Sequence, residues 1–326
     1  MRIVVIGAGA MGGIYGGLMA KSGADVTLID TWTEHVQAIR ADGLRLDDVD
    51  GPVVIEVPIT ENLEAPGSYD VAFVQTDTNN TEAAAETAKR ALAPDGVAIT
   101  LQNGIGNVEA LIAALGEAQV LGGVSYHSGS MAGPGQPRHT HAGKTYLGEL
   151  DGRTSQRAQA IAALLERAGL APEISDNVMG IVWSKFIHNC ALNPLCALLD
   201  LRVGEIPLHE GADRMQTKVI EEAIAVAEAK GIRLATPDPM GHIKAYTFKF
   251  NKPSMLQHME ANRVTEIDAL NGAVVREGRT LGIATPYNEA ITWMVKARNG
   301  QLRRVAAEGP IDYPALEAQK VAERAS

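Results

Sequence analysis

MRIVVIGAGAMGGIYGGLMAKSGADVTLID, residues 1–30, reads as a short strand, a glycine-rich turn, a helix and a second strand that ends in an acid. The apolar run Ile3-Val4-Val5-Ile6 is a buried strand. Gly7-Ala8-Gly9-Ala10-Met11-Gly12 places G-x-G-x-x-G directly after it. Gly7 permits the tight turn, Gly9 lets a pyrophosphate approach the backbone, and Gly12 lets the helix pack closely on the strand. The helix N-terminus adds free N–H groups and the positive end of a dipole. Gly23 closes the helix, and Asp25 to Ile29 form the next strand. Asp30 follows eighteen positions after Gly12, where an acid accepts hydrogen bonds from a ribose diol. Gly7, Ala8, Gly9, Ala10, Met11, Gly12 and Asp30 are therefore candidate dinucleotide contacts. A carboxylate at Asp30 repels a 2′-phosphate, so NAD(H) is the expected cofactor and NADP(H) the alternative. The competing readings are an ordinary glycine-rich turn and an acid that merely caps a strand or helix.

The length of 326 residues suits two domains with ample core. Hydrophobic content is 46% and mean hydropathy is -0.02, as in a soluble globular chain. The formal net charge is -10, and no basic run argues for a nucleic-acid partner. The apolar start is too short for a signal peptide or a membrane span. Cys190 and Cys196 do not have the spacing of a zinc or redox site and read as core thiols, which suits a reducing cytoplasm. No metal site is expected.

The first half alternates short apolar strands with helical segments, the pattern of a doubly wound parallel sheet of Rossmann type. Asp70 to Gln75, Gly96 to Leu101 and the run starting at Gln119 are strands; Thr81 to Leu92, Val108 to Leu115 and Gln156 to Ala168 are helices. Gly133-Pro134-Gly135-Gln136-Pro137 is a turn, and Arg138 to Leu150 an extended hairpin that closes the domain. Beyond about Val178, long helical patterns replace the strands: Val178 to Asn193, Ala212 to Lys230, Ser254 to Leu281 and Tyr287 to Gln301. The reading is a dinucleotide-binding domain over 1–176 and an all-helical substrate domain over 177–326. The stretch after Gly309 is polar and expected to be partly ordered at best. The long helices are compatible with a homodimer but do not specify one.

Within WSKFIHNCALN (Trp183 to Asn193), Lys185, Asn189 and Asn193 recur at i, i+4 and i+8 and so share one face of an otherwise apolar helix. Pro194 favours an end or kink there. A lysine and two asparagines facing inward need polar partners, and a small-molecule substrate is one; a solvated helix face is the other reading. His188 lies on a neighbouring face. A second ridge runs Ser254, His258, Asn262, Glu266. Reducing a ketone by hydride needs a proton donor at the forming alkoxide. Lys185 suits that task, and a carboxylate such as Glu266 would orient it.

These residues resemble the ketopantoate reductase (2-dehydropantoate 2-reductase) family over nearly the whole chain, to about residue 302. The resemblance rests on GAGAMG at Gly7 to Gly12, QNGIGN at Gln102 to Asn107, and the GPG turn followed by HTHAGKTYLGE. It continues with WSKFIHNCALNP at Trp183 to Pro194, NKPSML at Asn251 to Leu256, and TEIDALNG at Thr265 to Gly272. It implies that Lys185 is the general acid at the substrate carbonyl and that Glu266 supports it. Asn103 would lie beside the nicotinamide ribose and the lysine, with Thr76 a further cofactor contact. Asn189, Asn193 and Asn251 would bind polar groups of the substrate, and Ser254 its carboxylate, in a cleft between two domains.

Three departures from the family pattern matter. NADPH-using members carry a basic residue just after the second strand, where this chain has Ile29-Asp30-Thr31. They usually carry a lysine shortly after the third strand, where this chain has Asp77. An asparagine often found before a glycine in the second domain is Val203 here, before Gly204. The first two favour NAD(H), and with it a catabolic, alcohol-oxidising direction; the third weakens the case for pantoate's hydroxyl as the recognised group. The expected function is an NAD(H)-dependent oxidoreductase of ketopantoate type. The alternatives are the same chemistry on another branched or aromatic hydroxy acid, and a dinucleotide sensor that has lost catalysis.

Overall fold

β1 (Arg2–Ile6) is buried on both faces: Ile3 and Val5 enter one apolar cluster, Val4 and Ile6 another. That alternation is what a strand covered by helices on both sides requires. The computed structural model describes residues 1–248 and 250–325. After β1 come α1 (Ala10–Lys21), β2 (Asp25–Ile29), α2 (Thr33–Asp42), β3 (Leu44–Asp48), β4 (Gly51–Ile55), β5 (Ile59–Thr60) and β6 (Tyr69–Val74). Then follow α3 (Thr81–Ala91), β7 (Leu92–Thr100), α4 (Asn107–Leu115), β8 (Val120–Ser125), β9 (Ser128–Gly133), β10 (Gln136–His141) and β11 (Thr145–Gly148). α5 (Gln156–Arg167), β12 (Pro172–Ile174) and α6 (Val178–Leu199) complete this half.

The main sheet has the order β12-β11-β8-β7-β6-β1-β2-β5. β5, β2, β1, β6, β7 and β8 all run in one direction, and β11 returns antiparallel to β8. Residues of α1 and α5 pack with Ile3 and Val5 on one face; residues of α3 and α4 pack with Val4 and Ile6 on the other. Chain order reverses at β1, which lies between β2 and β6, so the loops after β1 and β6 open the crevice where such sheets take their ligands.

A second sheet, β4-β3-β10-β9, was not foreseen in residues 31–69. Its strands alternate buried and exposed residues over too few positions to be distinctive, as in Leu44–Asp48. The extended stretch expected over 138–150 is in fact divided. β10 pairs with β9 across the glycine turn, whereas β11 crosses to the main sheet.

The chain divides into two units: Met1–Phe186 with Gly231–Pro237, and Ile187–Lys230 with the residues from Asp238 onward. The second unit is helical, as expected. It contains the end of α6, α7 (Glu210–Ala229), α8 (Pro239–Lys244), α9 (Ser254–Glu260), α10 (Asn271–Leu281), α11 (Pro286–Glu308) and α12 (Tyr313–Ala325). Three expectations are corrected here. α6 does not stop at Pro194. Proline cannot donate to the carbonyl four residues back, that of Cys190, but the Asn271 side-chain amide donates to it at 3.1 Å. The helix expected over 254–281 is interrupted at Asn262, whose φ of 53° lies in the left-handed region. Arg263 N donates to His258 O at 2.8 Å and closes α9 there. The polar tail after Gly309 forms α12. Asn271 and Asn288 are fully buried; Asn271 donates to Asn288 Oδ1, and Asn288 to Glu222, tying α10, α11 and α7 together. Cys190 and Cys196 are buried free thiols. Among the described residues no helix is long and apolar enough to cross a membrane.

Candidate active site

Gly7 has φ +88°, and its N–H donates to Ile29 O at 2.8 Å, so the turn after β1 is fastened to the end of β2. A Cβ on Gly7 would stand 2.7 Å from Thr76 N, and one on Gly12 only 1.8 Å from Gly7 O. Both glycines are thus required by close packing. Gly9 differs: an added Cβ would meet nothing within 4 Å. The space above Gly9 is open, and the first turn of α1 carries no acid. Beside this turn the buried Gln75 Nε2 has no hydrogen-bond partner. Open room at the glycine backbone, unspent helix N–H groups and an orphaned amide donor fit a dinucleotide pyrophosphate.

Asp30 follows β2. Its Oδ2 accepts from Ala8 N at 2.7 Å and its Oδ1 from Trp32 N at 2.9 Å. The Ala8 amide is therefore committed to Asp30, a refinement of the expectation that this residue faces phosphate directly. A carboxylate has about four acceptor sites, so two bonds leave capacity for a ribose diol. Behind it lies His35, which sequence reasoning missed. Gly135 N donates to His35 Nδ1 at 2.9 Å, which leaves the proton on Nε2 to donate to Ala8 O at 2.9 Å. Burial lowers the His35 pKa, against the Ala8 hydrogen bond and the charge of Asp30. Burial likewise lowers that of His127, which sits 2.9 Å from His139. Groups neutral in the fold cost nothing above the ordinary histidine pKa of about 6.5 and oppose folding below it, as the unfolded chain takes up their protons. Thermal stability should thus be flat from pH 8 to 7 and fall below about pH 6.5, each histidine adding at most about 1.4 kcal/mol per pH unit. Melting temperatures across pH 8 to 5 check this; a flat profile to pH 5 would contradict it.

The loop after β7 is fastened by groups that the QNGIGN pattern contains. Gln102 Nε2 donates to Thr76 O at 2.5 Å and to Thr81 Oγ1 at 3.0 Å. Asn107 Nδ2 and Thr78 Oγ1 donate to Asn103 O at 2.9 and 3.3 Å. Asn103, half-buried, is thereby held by its own carbonyl.

Lys185 Nζ donates to Ser125 O and lies 5.3 Å from the centre of the Tyr126 ring. Ser125 is itself fixed: its Oγ accepts from Tyr15 OH at 2.8 Å and from His127 N at 3.1 Å. Burial pushes the Tyr15 pKa up to about 12, despite bonds to Ser125 and Thr145, so that phenol stays protonated at neutral pH. Because β1, β2, β6, β7 and β8 run in one direction, Gly7 to Gly12, Asp30, Thr76, Asn103 and the Ser125 carbonyl lie at one edge, the C-terminal edge, of the sheet. The first unit thus gathers every expected cofactor residue and Lys185.

The second unit holds the remaining candidates. Asn189 and Asn193 are one turn apart on α6, Asn193 being buried. Asn251 and Ser254 are exposed at the start of α9. Glu266 is not on a helical ridge with Ser254: it opens the turn before α10, where its carbonyl accepts from Ala269 N and Leu270 N. Asn262 is the stop of α9. His188 packs its ring on Tyr246, centroids 4.6 Å apart. Val203 is buried in the 3-10 turn Val203–Leu208. Among the described residues no group of three or more His, Cys, Asp or Glu is arranged to hold a metal ion.

Residues 3–152 match the family described as ketopantoate reductase PanE/ApbA, and residues 177–299 match its C-terminal part. The chain belongs to the ketopantoate reductase family. It is 30% identical to a 2-dehydropantoate 2-reductase of Streptococcus pyogenes over 305 residues, covering 93% of this chain and 99% of that one. Among solved structures it is similar to a PanE/ApbA family ketopantoate reductase from Ralstonia eutropha, with 34% identity, a TM-score of 0.84, and coverage of 93% and 100%. It is also similar to a D-mandelate dehydrogenase in ternary complex with NADH and anilino(oxo)acetate, with 30% identity, a TM-score of 0.85, and coverage of 93% and 100%. Ketopantoate reductases are oxidoreductases that act on CH–OH groups, and the Rossmann-type first unit followed by a helical second unit is their fold.

Proposed function

We propose that this chain is an NAD(H)-dependent oxidoreductase acting at C2 of a 2-oxo or 2-hydroxy acid, with ketopantoate and pantoate as the first substrate pair. The observation that carries the reading is the acid at the end of β2: Asp30 is fastened to the glycine loop by Ala8 N at 2.7 Å, with no cation at Thr31 or Trp32 to receive a 2′-phosphate. When bound, the nicotinamide supplies the hydride to the 2-oxo carbon or takes it from the 2-hydroxy carbon. Lys185 gives a proton to the oxygen as its charge develops, and its ammonium stabilises that charge. The Ser125 carbonyl and the Tyr126 ring orient the ammonium. Asn103 keeps the nicotinamide ribose near the lysine, and Thr76 contacts the cofactor. Asn189, Asn193 and Asn251 take polar substrate groups, Ser254 takes the carboxylate, and Glu266 supports Lys185.

A second reading, oxidation of an aromatic hydroxy acid, is favoured by the apolar Val203 and by the likeness to D-mandelate dehydrogenase. The test is turnover of ketopantoate and of phenylglyoxylate with NADH: the more efficient substrate names the reading, and no turnover of either 2-oxo acid sinks both. Asp30→Asn, which keeps the shape and removes the charge, should narrow the preference for NADH over NADPH by about tenfold or more. An unchanged ratio would remove Asp30 from the ribose.

A further inference from the structure

The loop after β2 exposes an aromatic side chain that the reaction does not use. Trp32 is 39% exposed, although tryptophan is on average a highly buried residue. The indole is also held in place. Its backbone N–H donates to Asp30 Oδ1, while the other oxygen of that carboxylate takes the Ala8 N–H of the glycine loop. Its ring stacks on the His35 imidazole, with centroids 5.1 Å apart and planes 8° from parallel. His35 is fully buried and held at both nitrogens by backbone, so the support is rigid. An indole backed on one face and exposed to solvent is a stacking platform.

We propose that Trp32 binds the adenine ring of the dinucleotide. The inference rests on the NAD(H) reading, in which Asp30 accepts from the adenosine ribose. Adenine is joined to that ribose by a single glycosidic bond, so a ribose on Asp30 puts the base within a few ångströms of the neighbouring platform. A base stacks on an aromatic face without needing a hydrogen-bond pattern, which suits a loop that offers no charged partner at Thr31 or Thr33. Asp30 then reads the sugar and Trp32 the base, and one carboxylate sets the position of both relative to the phosphate turn.

The experiment measures ADP-ribose and NADH binding by calorimetry and by indole emission, in wild type, Trp32→Phe and Trp32→Leu. ADP-ribose lacks the nicotinamide and isolates the adenosine half. Trp32→Leu, which keeps apolar bulk without an aromatic face, should weaken both ligands by the same factor, about 5- to 150-fold, and Trp32→Phe should recover most of the loss. With the 62% exposed Trp293 replaced by phenylalanine in every protein used for emission, ADP-ribose should quench the indole signal while Trp32 is present, and the quench should vanish in Trp32→Phe, since the remaining Trp183 is fully buried. Wild-type affinity in Trp32→Leu, or a quench that survives in Trp32→Phe, overturns the proposal and leaves the NAD(H) reading standing. A wild-type protein that binds neither ligand overturns both.

Discussion

Lys185→Ala should lower kcat for 2-oxo acid reduction by a factor on the order of 10² to 10⁴, the usual share of a general acid, while NADH still binds. The ammonium donates to the Ser125 carbonyl at the C-terminal end of β8, on the edge that also carries the glycine turn and Asn103. The lysine is therefore anchored through its own head group and not through its flexible stem, which is the preorganisation an acid needs. Lys185→Arg separates proton donation from charge. Guanidinium keeps the positive charge but does not give up a proton at neutral pH. It should remain well below wild type if the proton is what matters. Activity of Lys185→Ala within a few-fold of wild type would remove the residue from the reaction.

Gly9→Ala and Gly12→Ala should both lose NADH binding, but only the second should lose stability heavily. Gly9 has φ −58° and ψ −154°, just past the edge of the β region, so alanine there bears a modest backbone strain, and its added Cβ meets nothing within 4 Å. Its melting temperature should fall far less than that of Gly12→Ala, yet the methyl fills the room into which the pyrophosphate fits, and NADH affinity should fall on the order of 10²-fold or more. In Gly12→Ala the methyl lies 1.8 Å from the Gly7 carbonyl, a backbone atom that cannot swing aside. The loop itself must move, at a cost of about 3 kcal/mol or more, so stability and binding should fall together. Unfolding curves read beside NADH titrations distinguish the two. Normal NADH binding by Gly9→Ala would show that the space above this turn is not where phosphate goes.

The β1–α1–β2 unit was legible because three constraints coincide over thirty residues: an apolar run, glycines at fixed spacing, and an acid where a ribose would lie. The helical character of the second half was legible for a related reason, since long periodic runs outweigh local detail. The second sheet was not, because β3, β4, β9 and β10 are short and half-exposed, and β10 meets β3 from 91 residues away through Arg138 and Asp47. The course of α6 through Pro194 could not be read locally, because the donor that satisfies Cys190 O comes from Asn271. Asn262 was misassigned to a ridge; its left-handed backbone shows a helix stop, a role to which asparagine is suited. At the candidate site, the places of the glycine turn after β1 and of Asp30 after β2 were legible from the sequence pattern, and Lys185 is named as a candidate by the proton donor that a ketone reduction needs. His35, Gln102 and Asn107 were not, since their value lies in bonds to distant backbone: His35 to Ala8 and Gly135, Gln102 to Thr76, Asn107 to Asn103. Trp32 carried one faint signal, an aromatic two residues beyond the acid of β2.

The most direct measurement is kcat/KM for reduction of ketopantoate and phenylglyoxylate with NADH and NADPH side by side at equal concentration. The expected result is turnover of at least one of these acids, with NADH preferred by about tenfold or more, as the Asp30 carboxylate and the lack of a basic residue at Thr31 and Trp32 imply. A preference for NADPH would contradict the reading of Asp30, and no turnover of either acid with either cofactor would contradict the proposed activity itself.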